Sequence, residues 1–502
     1  MTKNLVDLGP LRITFINIGT ELMAGQRNNS GLALRIFSAH IFMGVIAIGL
    51  SQSIGPIGWE VIVPFCGASI LLLMYLFLVR VVRNPSSLIL DPIVCFALAT
   101  AVYFGFGPLL YVFGPNETAE YSLAWYPTDP RAGLWLIALH FIGIGITGIT
   151  CISTRFNAVS RAASVCATRW ARISTEKVVV FFIVVGMLFR FFFVIPYEFG
   201  MIKMPPSALV RALQNFVLVG FFIGFSLPRM NRSLRKLLKY ALVVQVGTSI
   251  LMFNKTEVLL AVLSAGLGMF IARGRIMSLV SMAGIAIAIY VVLGPLVLFG
   301  RNQLLDSGTD GMRVAGMIDR GVLVQEYLES RRTGGQSGET EAMWWYRLNY
   351  IPSQHAAVDL YNEGRGSESF KNVLWLFVPR SIYPDKPILS SEGAMLTDKV
   401  HGFSTSSTGI GVFADGYYNF GWFGVVLSAI TYGLVLSVYR CIARPIINQK
   451  AFALYPLALV GVTVAIRPDG WWLLDVAGPV ILVLAGLFLV RSFSESKLRF
   501  RG

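Results

Sequence analysis

The chain reads as an all-α, polytopic membrane protein with about 12 transmembrane helices and one large, partly helical extracytoplasmic loop. Three observations predict this. Of its 502 residues 55% are hydrophobic and only 14% charged, whereas soluble domains carry about 25% charged residues. Apolar runs of the ~20 residues that a bilayer crossing requires recur along the chain. Lysine and arginine gather in alternate loops, the bias that marks the cytoplasmic side.

Taken in order, residues 11–23 mix Leu, Ile and Phe with polar residues and predict an interfacial helix. Apolar runs follow at 34–52, 61–79, 88–113, 133–153, 178–196, 207–228, 237–253, 257–272 and 279–299, then at 422–439, 452–466 and 470–490. The first run begins only near Leu34, so no cleavable signal peptide is expected. Glycine is frequent inside the runs and suits close helix packing in lipid.

The formal charge of +15 invites a nucleic-acid reading, and its placement argues against one. Arg80 and Arg83 lie in one inter-run loop, and Arg155, Arg161, Arg169, Arg172 and Lys177 in another. Arg229, Arg232, Arg235, Lys236 and Lys239 follow, then Arg273 and Arg275, Arg440, Arg444 and Lys450, and a basic tail. The loops between these are acidic or mixed, with Glu117, Glu120 and Asp129 in one. The alternation predicts that both termini are cytoplasmic and that the protein sits in a bacterial inner membrane. Cys66, Cys95, Cys151, Cys166 and Cys441 lie in or beside apolar runs or in basic loops, without a CxxC or metal-ligand spacing. Neither a disulfide framework nor a zinc site is expected.

The pattern divides the chain into a membrane region over 1–300, an extracytoplasmic segment over 301–421 and a second membrane region over 422–502. The middle segment holds 11 Lys/Arg and 14 Asp/Glu, so its cations are not a by-product of the cytoplasmic bias. Segments this long between elements usually carry function or structure of their own. Residues 315–331 and 343–361 have apolar residues near helical spacing, the second interrupted by Pro352, and predict amphipathic helices that lie on the membrane or cap a cavity. Beyond them come NVLWLFVPR, SIYPDKP, a Ser/Thr/Gly-rich tract around His401, and ADGYYNFGWFG.

Arg301, Arg313, Arg347, Arg380 and Lys386 fall on the outer face or its interface. Arginine binds phosphate through paired hydrogen bonds and lysine as a point charge, so this set suits a lipid-linked pyrophosphate. Arg380 and Lys386 stand out because Pro379, Pro384 and Pro387 fix the backbone around them. The plainer reading is surface charge, which suits Arg331 and Arg332 best. Within the runs, Arg190, Asp91 and Asp475 are costly in lipid and should face protein or a wet cavity. Arg190 either snorkels outward or reaches an anionic headgroup. Asp91 caps a helix beside Pro92. Lys255 and Glu257 mark an outer turn and, on the plainer reading, pair with each other; Arg467 and Asp469 mark a similar turn. His40 and His140 read as packed residues. His401 and His355, with Asp415 and Glu392 as competitors, are candidate bases for a sugar hydroxyl. Trp344, Trp345, Tyr346, Tyr383, Tyr417, Tyr418 and Trp422 either stack on sugars or form an interfacial belt, the commoner case.

Three stretches, NKTEVLLAVL, FVPRSIYPDKP and ADGYYNFGWFGVV, resemble segments of the O-antigen polymerase (Wzy-type) family of oligosaccharide repeat-unit polymerases. They cover about 40 residues, the span layout is similar throughout, and Asp415 stands where family members often have Glu. The resemblance implies a metal- and cofactor-independent glycosyltransferase working without a nucleotide sugar. It would move a chain from undecaprenyl pyrophosphate to the terminal hydroxyl of another lipid-linked repeat unit, with a regulator protein setting chain length. Arg380 and Lys386 would then hold the pyrophosphate. Arg190, Lys255, Arg301, Arg313 and Arg347 would assist, with Tyr417 and Asn419 at the sugar. His401 or Asp415 would act on the acceptor. An O-antigen ligase shares this layout. A transporter is the competing class, against which stand the lopsided outer segment and the lack of an evident repeat of the two halves. A passive scaffold is the third alternative.

Overall fold

The computed structural model describes residues 9–53, 57–83, 91–171, 174–202, 206–227, 230–273, 276–306, 316–332, 343–367, 369–370, 375, 378, 383, 392–402 and 409–468. Among them every regular element is helical. The first half comprises α1 (Gly9–Ser53), α2 (Val63–Arg83), α3 (Pro92–Thr100), α4 (Asn116–Trp125), α5 (Pro130–Ser153), α6 (Asn157–Trp170) and α7 (Thr175–Phe189). Then come α8 (Ala208–Gln214), α9 (Phe216–Ser226), α10 (Arg232–Leu251), α11 (Lys255–Arg273), α12 (Ile276–Asp306) and α13 (Met317–Arg332). The last four are α14 (Ile351–Asn362), α15 (Glu392–His401), α16 (Val412–Asn448) and α17 (Tyr455–Ala465). Two helices continue through wide turns, α3 through Ala101–Phe106 and α7 through Arg190–Val194. Pro108 and Pro196 lie just beyond and lack the N–H that would bond four residues back, which a π turn accommodates.

Eight helical stretches among the described residues are long and apolar enough to cross a membrane: Ser30–Ser53, Trp59–Val82, Pro92–Phe113, Pro130–Ser153, Thr175–Glu198, Lys255–Arg273, Val280–Val297 and Val412–Asn448. Three expected runs do not reach that mark among the described residues, and a fourth lies outside them. The 207–228 run is split at Asn215 into α8 and the short α9. The 237–253 run belongs to α10, whose first two turns carry Arg232, Arg235, Lys236 and Lys239. The 452–466 run forms a tight turn and the 11-residue α17. The 470–490 run lies outside the described residues, as does Asp475. Residues 11–23 are not a separate interfacial helix, because α1 runs unbroken through them into the first span.

Helices α1 and α5 pack along much of their length. Small residues permit this: a methyl on Gly44 would meet the Ala138 carbonyl oxygen at 2.9 Å, and one on Gly145 the Phe37 carbonyl oxygen at 2.7 Å. On its other side α5 meets α16, and a second group is built from α7, α9, α11 and α12. Large apolar side chains point away from the bundle, including Phe42, Leu71, Phe192 and Phe423, each more than 60% exposed. So much outward apolar surface suits lipid and is uncommon on soluble monomers.

Contacts between connections fall into two groups, one at each end of the bundle. At one end Arg80 and Arg440 meet Asp91, Ser437 bonds the Thr154 carbonyl, Gln449 bonds Ser164 and Thr168, and Asn231 bonds Glu176. At the other, Trp59 stacks on Tyr111, Tyr126 bonds Thr397, Arg320 bonds the Glu198 carbonyl, and Val412 bonds the Pro468 carbonyl. The first end gathers the basic connections and the second the acidic or mixed ones.

The expected helix at 315–331 is α13. Its Arg320 is fully buried, donates to the Glu198 carbonyl at 2.6 Å and lies over the Phe199 ring, while Ile318 is 84% exposed. That is the profile of a helix lying on an apolar surface. The 343–361 stretch departs from expectation in its position. The helix is interrupted just before Pro352, as expected, between Met343–Tyr346 and α14, whose first turn takes Pro352 because it needs no N–H from that position. Ile351, Pro352, Ser353, Gln354, Ala357, Val358 and Leu360 are all buried, so α14 lies within the bundle and not on its surface.

Candidate functional site

Helices α14 and α15 and the start of α16 are built into the bundle at the end opposite the basic loops. Nε2 of His140, close to the midpoint of α5, is 2.7 Å from Oε1 of Gln354 in the first turn of α14. The Gln354 amide donates to the Ile410 carbonyl at 2.9 Å, and Ser353 donates to the Gly409 carbonyl at 2.9 Å. Both α14 and the start of α16 therefore begin halfway along α5. They end beside Trp135, near α5's first turn, where Tyr417 meets that ring at 5.2 Å and bonds Asn362 at 3.2 Å. Ala357, Leu360, Leu396, Ile410, Ala414 and Tyr418 form a small core of their own among α14, α15 and α16.

The expected span at 422–439 is the second arm of α16. Phe420 (φ −143°, ψ 21°) and Gly421 (φ 60°, ψ −146°) leave the helical region, and the chain reverses there. A methyl on Gly416 would lie 2.6 Å from the Gly424 carbonyl oxygen and 2.7 Å from Ser428 Oγ. Residues eight apart in a straight helix would be about 12 Å apart along the axis, so the arms 412–419 and 422–448 pack as a hairpin. Gly421 occupies a region open to glycine alone.

This hairpin positions ADGYYNFG. Asp415 is buried, and Asn419 Nδ2 donates to its backbone carbonyl at 2.9 Å and to its carboxylate at 3.3 Å. Asn419 Oδ1 accepts from Ser369 Oγ at 3.1 Å and from the Phe370 N–H at 3.3 Å. Ser367 N–H donates to the Tyr418 carbonyl at 2.9 Å. Asn419 thus staples Ser369 and Phe370 to α16, and Asp415 orients it. Substituting Asn419 by Ala should cost about 1–3 kcal/mol by leaving the Phe370 N–H and Asp415 without this partner. Limited proteolysis should then cut near Phe370 several-fold faster, and a wild-type rate would show that other contacts hold these residues.

Two clusters of rings flank the hairpin. Tyr361, Tyr417, Trp135 and Trp422 meet at centroid distances of 5.2 to 6.0 Å. His401, half-buried at the end of α15, is edge-on to Trp125 at 5.2 Å and Tyr126 at 4.9 Å. His355 Nδ1 lies 3.2 Å from the Pro127 carbonyl oxygen and 3.4 Å from Asp359. Partial burial raises the Asp359 carboxyl above its usual range, and His355 opposes this. Lys399 donates to the Arg365 and Gly366 carbonyls and to Tyr418 Oη at 3.0 Å, while Arg365 donates to the Lys399 carbonyl. Neither cation was singled out from the sequence, because nothing in spacing reveals that 365 and 399 meet.

No protein-family model, curated protein or solved structure matches this chain.

The remaining candidates divide sharply. Arg190 is buried and fully engaged: Nη1 is 2.6 Å from Glu257 Oε2, Nε and Nη2 reach Thr248 Oγ1 at 3.1 and 3.0 Å, and Nη2 reaches Ser249 Oγ at 2.9 Å. It neither snorkels nor points to a headgroup, since its counter-ion is within the protein. The local Lys255–Glu257 pairing is replaced by this longer-range one, because Glu257 in the first turn of α11 faces α7. Lys255 stays at the start of α11, partly buried. Arg347 is exposed in the turn before α14. Arg301 belongs to α12, which continues past the expected end of its span to Asp306, and its side chain lies outside the described residues. Arg313, Arg380, Lys386 and Asp469 lie outside them as well. Trp375 stacks on Tyr383 at 4.9 Å.

Proposed function

We propose that this is a membrane glycosyltransferase that polymerises undecaprenyl-pyrophosphate-linked repeat units into a surface polysaccharide at the outer face of a bacterial inner membrane. The observation that carries this reading is the integration of the outer segment. Two short helices root it halfway down α5, and rings from α5, α14 and α16 form one cluster beside them. A sugar chain stacks on such rings, and Arg380 and Lys386 would supply charge for a pyrophosphate leaving group.

In this scheme the acceptor sugar hydroxyl attacks the anomeric carbon of the donor. A C–O glycosidic bond forms, the C–O bond to pyrophosphate breaks, and undecaprenyl pyrophosphate leaves with that electron pair. His401 takes the hydroxyl proton. Its half-exposed position between Trp125 and Tyr126 favours it over Asp415, which is buried and held by Asn419. Asp415 then has a positioning role.

About twelve crossings with both termini cytoplasmic complete the proposal, counting α9, α10, α17 and the 470–490 run, which lies outside the described residues, with the eight long ones. The grouping of basic connections at one end and acidic or mixed ones at the other supports that topology. Helices that begin inside a bundle also occur in carriers, which keeps a lipid-linked sugar transporter as the second reading.

Purified protein given a lipid-pyrophosphate repeat unit should produce a ladder of products. Arg380→Ala should lower the rate by about 100-fold or more, the scale of losing an oxyanion-stabilising donor. A full ladder from this variant removes Arg380 from the site. Movement of the substrate across vesicles without any lengthening would favour the transporter.

A further inference from the structure

The basic end of the bundle carries a groove that the glycosyltransferase reading does not use. It runs between the first halves of α7 and α10 and encloses about 700 Å³. Its walls are Val180, Phe181, Val184 and Val185 of α7 against Leu234 and Leu237 of α10. Where the two helices begin, Glu176, Lys177, Asn231 and Ser233 line the same groove, so its polar groups stand together at one mouth. Helix geometry explains this division. Positions 233, 234 and 237 share one face of α10, and at about 100° per residue Arg232, Arg235 and Lys239 fall on the other. Asn231 ties the mouth: its Nδ2 donates to Glu176 Oε2 at 3.2 Å, and its Oδ1 accepts the Leu234 N–H at 2.7 Å. Glu176 and Lys177 are both exposed there.

Two observations point to the occupant. The first is continuity with the outward apolar surface. Val180, Phe181 and Val184 are 40%, 56% and 44% exposed, and they run on into the large apolar side chains that suit lipid. From Lys177 to Val185 the α7 wall rises about 12 Å, close to the ~15 Å of hydrocarbon in one leaflet. The second is charge complementarity at the mouth, where an acid and a base stand side by side. A phosphate meets Lys177 as a point charge and accepts from the Ser233 hydroxyl. An ammonium group on the same headgroup donates to Glu176 in a charge-assisted bond. A choline headgroup has no N–H to donate, and a glycerol headgroup carries no cation for Glu176.

We propose that the α7–α10 groove binds a phospholipid whose headgroup carries a primary ammonium, with the acyl chain along Phe181, Val184 and Leu237 and the headgroup between Lys177 and Glu176. The full chain, purified in a nonionic detergent, is titrated with phosphatidylethanolamine, phosphatidylcholine or phosphatidylglycerol of the same acyl composition, and thermal unfolding is followed. Phosphatidylethanolamine should raise the midpoint with half-saturation at about tenfold lower lipid than the other two, the scale of one charge-assisted hydrogen bond. An equal response to all three makes the groove ordinary lipid surface and overturns the proposal, as does a stronger response to phosphatidylglycerol.

Val184→Trp fills the groove from its exposed wall and should raise the half-saturation about tenfold. Val243→Trp, at a position on α10 that is 69% exposed and outside the groove, should leave it unchanged. Equal weakening by both tryptophans overturns the proposal. Glu176→Gln keeps an acceptor for Asn231 but removes the charge, so phosphatidylethanolamine should fall to the level of phosphatidylcholine. This variant decides the matter if Val184→Trp does not fold: an undiminished preference for phosphatidylethanolamine in Glu176→Gln overturns the proposal. A dimer that Val184→Trp dissociates and phosphatidylethanolamine does not would give the groove to a second copy of the chain, and would overturn it too.

Discussion

Arg190→Leu is expected to destabilise the fold by about 3–5 kcal/mol, the cost of removing one partner of a buried ion pair and leaving the other charge uncompensated. The guanidinium is 1% exposed and Glu257 17%, so water cannot take over the lost contacts. Thr248 and Ser249 would lose a donor at the same time. The wide turn at Arg190–Val194 brings this side chain inward to α10 and α11. Unfolding of the purified variant in detergent measures the effect. Adding Glu257→Gln to Arg190→Leu should recover part of the loss, because the unpaired carboxylate is then gone. An Arg190→Leu protein with wild-type stability but impaired substrate binding would return Arg190 to the substrate site.

Gly424→Ala is expected to have an effect of similar size on the half of the molecule that holds α14 and α15. A methyl there collides with the Gly416 carbonyl oxygen and comes within 3.1 Å of Phe420 Cβ. The hairpin arms must part, and overpacking of this kind costs about 1–3 kcal/mol and at times more. Gly421→Ala adds the strain of a left-handed backbone beside the Tyr361 ring, about 1–3 kcal/mol. Because Asp415, Tyr417 and Asn419 ride on the first arm, both variants should lose ladder formation together with stability. Faster proteolysis at 366–370 should accompany this. Unchanged unfolding and an intact ladder from Gly424→Ala would show that the arms do not need their close contact.

Some of this was legible in the residues. Long apolar stretches read correctly as helices because a run of such side chains with few charges signals a span whatever its neighbours are. Pro352 and the 343–361 helix were half legible: the apolar spacing revealed a helix, but apolar spacing looks alike on a membrane surface and inside a bundle. Only contacts with His140, Ile410 and Tyr417 distinguish the two. The outer turn at Lys255 and Glu257 illustrates the same limit. Proximity in sequence suggested a local ion pair, yet the helical direction of Glu257 and the widened turn at Arg190 join groups 67 residues apart.

What the sequence by itself determined is the helical class, the position of most long spans and the segregation of basic from acidic connections. These depend on local composition and on period, which each stretch carries alone. What only the tertiary structure decided is which charges meet. Arg190 pairs with Glu257, and Asp91 meets Arg80, Arg440 and Arg444. It also decided that α14 and the first arm of α16 are rooted in the bundle. The physical reason is that charge balance and burial in a low-dielectric interior are properties of neighbours in space, and here those neighbours come from helices far apart in the chain.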